Sequence, residues 1–293
     1  MIFNSIESEV TMFSYPMQVD GTRTRILQAG LSGAPVILVH GTAARADRWA
    51  RNLEPLAEAG FRSYAIDLPG HGFAEKSASF DHSVPGYANF LSSFIKGLDA
   101  PKVTIVGTSL GGHVAALYAT LHPDKINGLV LVGSMGLVPV GDEMRLRIQA
   151  GAANQTRDFV AQKLNRVIAD PALVTESLIQ EEFLFNNSTG AADALKKLGQ
   201  YIATDLDKDI IGEKLNQLPP DIPILLVWGD QDKTVPLSAG LAAHKLIHRS
   251  KLAVMKGVAH TSYFEDPLSF NQILIDFLSG RLGSHNSERI EYL

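Results

Sequence analysis

The sequence predicts a doubly wound α/β fold: a mostly parallel, eight-stranded sheet interrupted by a helical insertion. Three observations carry this. Short apolar runs rich in Val, Ile and Leu recur along the 293 residues and alternate with stretches of helical spacing. The runs are apolar almost without a break, as in strands buried on both faces. Strand–helix alternation of this kind builds a sheet covered by helices on both sides.

Taken in order, residues 9–19 and 22–27 flank Asp20-Gly21, a pair that accepts the positive φ of a tight hairpin turn. Strand-like runs follow at 35–41 (PVILVHG), 61–70 (FRSYAIDLPG), 102–109 (KVTIVGTS) and 126–134 (INGLVLVGS), then at 223–230 (PILLVWGD) and 251–260 (KLAVMKGVAH). Helical spacing occupies 49–59, 85–98, 110–122, 237–246 and 267–278. Residues 135–218 break the rhythm. They hold no convincing strand, but amphipathic stretches at 157–169, 173–186 and 191–201, punctuated by Pro171 and Ser188-Thr189-Gly190. The expected organisation is a core of residues 1–134 and 219–293 with a helical cap, or lid, of 135–218 between two strands. Ligands in such sheets bind at the C-terminal strand ends, where this insertion begins and ends. The tail after Gly280 is polar and is expected to be loosely held.

Composition excludes several classes. With no cysteine, disulfides, thiolate–metal sites and a cysteine nucleophile are absent. A net charge of −5 argues against a nucleic-acid partner. No apolar run approaches the ~20 residues of a membrane helix, and the first residues do not read as a signal peptide. A cytoplasmic monomer or homodimer acting on a small molecule, with neither metal nor organic cofactor, is the expectation.

The chemistry centres on Gly107-Thr108-Ser109-Leu110-Gly111-Gly112, placed after a strand and before a helix. Glycines on both sides of the serine let backbones approach closely in a strained strand-to-helix turn. A serine hydroxyl needs a base, and the base an orienting acid. Around this turn stand His40-Gly41, Asp67-Leu68-Pro69-Gly70-His71-Gly72, Trp228-Gly229-Asp230-Gln231-Asp232 and Gly257-Val258-Ala259-His260.

With these motifs the sequence resembles the α/β-hydrolase superfamily over nearly its whole length. The resemblance implies Ser109 as nucleophile, His260 as base and Asp232, ahead of Val235-Pro236, as acid. Asp230 is expected to cap a turn. The backbone N–H groups of Leu110 and Thr42 are the expected oxyanion donors. His40 belongs to the oxyanion loop, and His71, His113 and His122 are read as structural or surface side chains. An aspartate at 109 would imply alkyl-ester chemistry; serine implies a bond attached to a carbonyl carbon.

Within the superfamily the chain is most similar to the branch holding the meta-cleavage-product hydrolases, which cut C–C bonds in aromatic ring-fission products. That branch has Asn, Arg and Trp at the positions matching Thr108, Glu182 and Thr261. These positions, with His40 and Gly41, are the candidate substrate contacts. Glu182 falls on the inward stripe of its helix with Val174, Leu178 and Phe185, either paired with a nearby cation or held in water at the pocket mouth, and is expected to repel an anionic dienoate. Arg45, Arg48 and Arg51 read as solvated helix-entry residues, with supply of the missing positive charge to the substrate as the alternative. The expected activity is therefore cleavage of a small apolar ester or lactone, with C–C hydrolysis as the alternative and a ligand receptor on the same fold as a third reading.

Overall fold

The computed structural model describes residues 11–283 and 287–293. Strands β1 (Phe13–Val19) and β2 (Thr22–Ala29) pair as an antiparallel hairpin. Its turn is Asp20-Gly21, with φ of 48° and 79°, the left-handed pair that Asp-Gly accepts. Residues 9 and 10 of the expected first strand lie outside the described residues. Helix α1 (Ala50–Glu58) then joins β3 (Pro35–Val39) to β4 (Arg62–Ile66), and α2 (Val84–Gly97) leads to β5 (Val103–Thr108). Helix α3 (Leu110–Leu121) connects β5 to β6 (Ile126–Val132).

The insertion follows as four helices: α4 (Asp142–Ala153), α5 (Arg157–Val167), α6 (Glu176–Asn186) and α7 (Ala191–Thr204). The chain returns to the sheet as β7 (Ile224–Gly229), α8 (Leu237–Leu246) and β8 (Ser250–Met255). It ends with the single turn α9 (Ser262–Glu265), then α10 (Pro267–Leu278) and β9 (Ile290–Tyr292).

The strand order is β1-β2-β4-β3-β5-β6-β7-β8-β9, parallel from β4 through β8 and antiparallel at both edges. Among the described residues, nine strands stand where eight were expected. The ninth corrects the reading of the tail: Ile290 is buried, and Leu252 and Leu293 exchange backbone hydrogen bonds of 3.0 and 2.8 Å. The I-E-Y alternation places Ile290 and Tyr292 against the core while Glu291 faces out.

The two-sided burial of β3 is explicit. Ile37 and Val39 join the core under α2 and α3, whereas Val36 and Leu38 join the core under α1 and α10. The chain runs from β3 to β4 on one side and reaches β5 on the other. The C-terminal ends of β3 and β5 thus flank the point where strand order reverses, the usual ligand crevice in such sheets. The insertion has a small core of its own, Val160, Leu164, Ile168 and Ile179, and Phe264 packs against both it and the main core.

Candidate active site

Ser109 caps α3 with φ 53° and ψ −117°, a left-handed conformation for a residue with a side chain. The local sequence makes this possible. A Cβ at Gly107 would stand 2.2 Å from the Gly111 carbonyl oxygen, and one at Gly111 would stand 2.4 Å from that of Val39. Nothing larger than glycine fits either place. The Ser109 carbonyl accepts N–H bonds from Gly112, His113 and Met135 (3.1–3.2 Å), so the strained turn is held from both sides. Leu110 opens α3, so its N–H has no acceptor within the helix.

The loop after β3 faces this turn. Gly41 approaches Ser109 so closely that a Cβ there would lie 3.0 Å from the serine Cβ. His40 is wholly buried. Its Nε2 accepts the N–H of Leu68 (3.0 Å), which leaves Nδ1–H to donate to the Gly41 carbonyl (2.8 Å). Burial holds the imidazole below its usual pKa, so it is neutral and the tautomer is fixed. The structural role expected for His40 thus has a geometry. The loop is also tied by Asp67, whose carboxylate accepts from the N–H groups of Ala46 (2.7 Å) and Phe73 (3.0 Å) and from Arg25 (2.9 Å).

His260 follows β8 and Asp232 follows β7. Imidazole Nδ1 lies 2.7 Å from Asp232 Oδ2, and Oδ1 accepts the N–H groups of Thr234 (2.8 Å) and Val235 (2.9 Å). The carboxylate is fully buried and aimed at the ring. Asp230 instead accepts the N–H of Gly257 (2.8 Å), the turn-capping contact expected of it. Gly133, at φ 49°, passes beside the pair: a Cβ there would sit 3.1 Å from His260 Nδ1 and 3.2 Å from Asp232 Oδ2.

Ser109 and His260 open onto one cavity of about 110 Å³, lined also by Gly41, Thr42, Thr108 and Thr261. The insertion supplies the facing wall, including Ile148, Lys163, Leu164, Arg166 and Glu182. Helix α5 is latched to the histidine loop: the Val167 carbonyl accepts the N–H groups of His260 (3.1 Å) and Thr261 (3.2 Å) and the Thr261 hydroxyl (3.1 Å).

Two expectations are corrected here. Arg45 and Arg48 are buried, 3% and 6% exposed, and only Arg51 is exposed. The reason is Glu182, buried on α6 and facing them. Its Oε2 accepts from Arg48 (2.6 Å) and Arg45 (3.5 Å), and its Oε1 from Lys163 (2.5 Å). Burial pushes this carboxyl up, but Arg48, Lys163 and Arg45 together outweigh burial and hold it at about 2. Arg45 is also paired with Glu181 (2.6 Å) and Asp47 (2.8 Å), so Glu182 is an ionised carboxylate shared chiefly by Arg48 and Lys163, not a bare repulsive charge. The buried face of α6 is Ile179, Glu182 and Asn186; Val174, Leu178 and Phe185 are only half-buried.

Sequence reasoning passed over Lys163, Arg166 and Tyr263. Lys163 donates to the Ala43 carbonyl (3.0 Å) as well as to Glu182, joining α5 to the loop after β3. The signal was present, since Lys163 lies three residues after Val160 and four before Val167, on the inward stripe. Tyr263 is buried, lines the cavity and stacks on Trp49 at 3.7 Å between ring centroids. Only its place three residues after His260 hinted at this. Among the described residues no group of three or more His, Asp or Glu side chains gathers to hold a metal ion.

The model of the α/β-hydrolase fold family matches residues 34–267, most of the chain and every element of the site. The chain belongs to the α/β-hydrolase fold family. This α/β hydrolase is 28% identical over 253 residues to a 2-hydroxy-6-oxononadienedioate/2-hydroxy-6-oxononatrienedioate hydrolase of Pseudomonas putida, covering 83% of this chain and 87% of that one. Among solved structures it matches a serine hydrolase involved in carbazole degradation at 26% identity and TM-score 0.81, over 92% of this chain and all of the other. A thermophilic esterase matches at 26% identity and TM-score 0.72, over 92% and 99% of the two chains.

Proposed function

We propose that this α/β hydrolase cleaves a C–C bond beside a carbonyl in an anionic ring-fission product of the meta-cleavage kind. The observation that carries the reading is the charge of the cavity. Arg48, Lys163 and Arg166 line it against one carboxylate, Glu182. A surplus of cations in a partly dehydrated pocket is costly until an anion enters. A substrate carboxylate supplies that anion, and the kinship with a dienedioate hydrolase points the same way.

In this reading the Ser109 hydroxyl attacks the carbonyl carbon while His260 takes its proton, and Asp232 stabilises the imidazolium. The oxyanion is received by the N–H groups of Thr42 and Leu110. The C–C bond then breaks with its electron pair delocalised into the conjugated keto acid, and His260 returns the proton to the leaving carbon. Water, activated by the same histidine, hydrolyses the acyl-serine. The helices α4 to α6 act as a lid that excludes bulk water from these steps.

Ester cleavage is a second reading, favoured by the apolar part of the lining (Met135, Ile148, Leu164 and Ile168) and by the esterase neighbour. The test is to follow the absorbance of a ring-fission dienoate on adding the enzyme. Wild type is expected to bleach it with release of the matching acid, and Ser109→Ala to bind it without turnover. A dienoate left intact by wild type, beside rapid hydrolysis of neutral aryl esters, transfers the assignment to the esterase reading.

A further inference from the structure

His260 is held from more than one direction. Asp232 sets which way the imidazole faces, but the place of the ring also depends on the backbone that carries it. On the sheet side, the Gln231 N–H donates to the Val258 carbonyl (3.0 Å). On the insertion side, the Val167 carbonyl takes the N–H groups of His260 and Thr261. Glu265, the last residue of α9, adds a second hold there. Its Oε1 accepts the N–H of Ala259 (3.0 Å), the residue before the histidine. The same oxygen lies 3.2 Å from the hydroxyl of Thr261, the residue after it, whose single proton it shares with the Val167 carbonyl. Oε2 accepts the N–H of Ala169 (2.6 Å), two residues past the end of α5, and lies 3.2 Å from that of Ala259.

This is a costly place for a carboxylate. Glu265 is half-buried and has no cation within ion-pairing distance among the described residues. It stands at the C-terminal end of a helical turn, where negative charge is disfavoured. Burial raises the pKa of its carboxyl, against the pull of the Ala169, Ala259 and Thr261 donors. A carboxylate offers two acceptor oxygens, and here both are engaged, Oε2 with Ala169 and Oε1 with the histidine loop. In either orientation a carboxamide would turn its NH2 toward the N–H of Ala259 or that of Ala169. The donors thus join the histidine loop to a segment whose Val167 and Ile168 line the cavity.

We propose that Glu265 is a positioning residue for the base. By tying the residues on either side of His260 to the segment after α5, it fixes the imidazole against the insertion wall of the cavity, as Asp232 fixes it against the sheet. Glu265 takes this role only if His260 is the base of the proposed reaction, whether the bond cleaved is C–C or an ester. Wall and base then move together, so a displacement of the end of α5 carries the histidine with it.

The test measures kcat and KM for p-nitrophenyl acetate, and the second-order rate at which a fluorophosphonate labels Ser109, below the thermal midpoint of each variant. Glu265→Gln keeps the size of the side chain but loses one arm. It is expected to lower kcat and the labelling rate about ten- to a hundredfold, the scale of a misplacement of roughly an ångström, with KM changed less than about threefold. Glu265→Asp keeps two acceptor oxygens on a shorter stem and is expected to recover part of the loss. Asp266→Ala is the structural control: it removes the carboxylate that caps α10 by accepting the Ser269 N–H (3.2 Å). It is expected to lower the urea midpoint while leaving kcat within about twofold of wild type. Wild-type kcat and labelling in Glu265→Gln, or equal losses in Glu265→Gln and Asp266→Ala, overturn the role of Glu265. His260→Ala separates this role from the base assignment. If it is inactive while Glu265→Gln matches wild type, only the role of Glu265 falls. If it keeps wild-type turnover, the base assignment falls and the role of Glu265 with it.

Discussion

At the scale of single residues, the orientation of His260 depends on one carboxylate. Asp232 spends one oxygen on the imidazole and the other on two backbone N–H groups, so its geometry is fixed before substrate arrives. Asp232→Asn is expected to lower kcat by roughly four orders of magnitude, the size of the loss in serine proteases whose triad aspartate becomes asparagine and leaves the imidazole in the wrong tautomer. Asp230→Asn, which loses only a turn contact, is expected to change kcat less than about threefold, since a single hydrogen bond of this kind is worth ~0.5–1.5 kcal/mol and does not touch the ring. Steady-state kinetics on the two variants checks this, and the opposite ranking would move the acid to Asp230. The resemblance to the superfamily, through the position after Trp228 and before Val235-Pro236, marked Asp232 rather than Asp230 as the partner of His260, and the hydrogen bonds have that arrangement. The partners of Glu182 were not legible. They come from the segment after β3 and from α5, 134 and 19 residues away, and only folding brings them together.

Glu182 also makes a pH prediction. Its pKa is lowered from 4.5 to about 2 in the folded protein. The stabilisation is fully present above pH 4.5, and is lost as pH falls through 4.5 toward 2. The shift corresponds to about 3 kcal/mol at ~1.36 kcal/mol per unit. Glu182→Gln leaves Arg48 and Lys163 buried without their counterion, and is expected to cost about 3–5 kcal/mol at neutral pH. Urea unfolding at pH 7 and pH 3 reads both effects. The gap between wild type and variant is expected to shrink at the lower pH, and a gap that widens there contradicts the ionic assignment.

At the scale of elements, the long buried strands and the helices between them were legible because each carries its own period. Helices α8 and α10 begin and end where the spacing places them. Helix α4 was missed because its apolar residues make no stripe and only Ala152 is buried. Strand β9 was missed because three residues are too few to show a period, and its stability comes from pairing with β8. That pairing is testable. A chain ending at Gly283 loses the burial of Ile290 and part of Tyr292, worth about 2–3 kcal/mol at ~25 cal/mol per Å². Its Tm is expected to fall by roughly 5–10 °C. An unchanged melting curve would mean that β9 adds nothing to the sheet.

At the scale of the whole molecule, the sheet supplies the candidate catalytic groups and the insertion supplies most of the charge. Ser109, Asp232 and His260 stand at the ends of β5, β7 and β8, on a scaffold buried on both faces. Lys163, Arg166 and Glu182 come from α5 and α6, facing them across the cavity. The chain as a whole is acidic, at −5, yet the cavity holds a surplus of cations. In the proposed reaction, the choice of substrate rests on the insertion and the loop after β3, while the sheet carries the candidate catalytic groups. The most direct measurement is the ratio of kcat/KM for a ring-fission dienoate to that for a neutral aryl ester of similar size, with wild-type enzyme at low ionic strength. A ratio well above one that falls as salt screens the cavity is expected. A ratio below one, indifferent to salt, would contradict it.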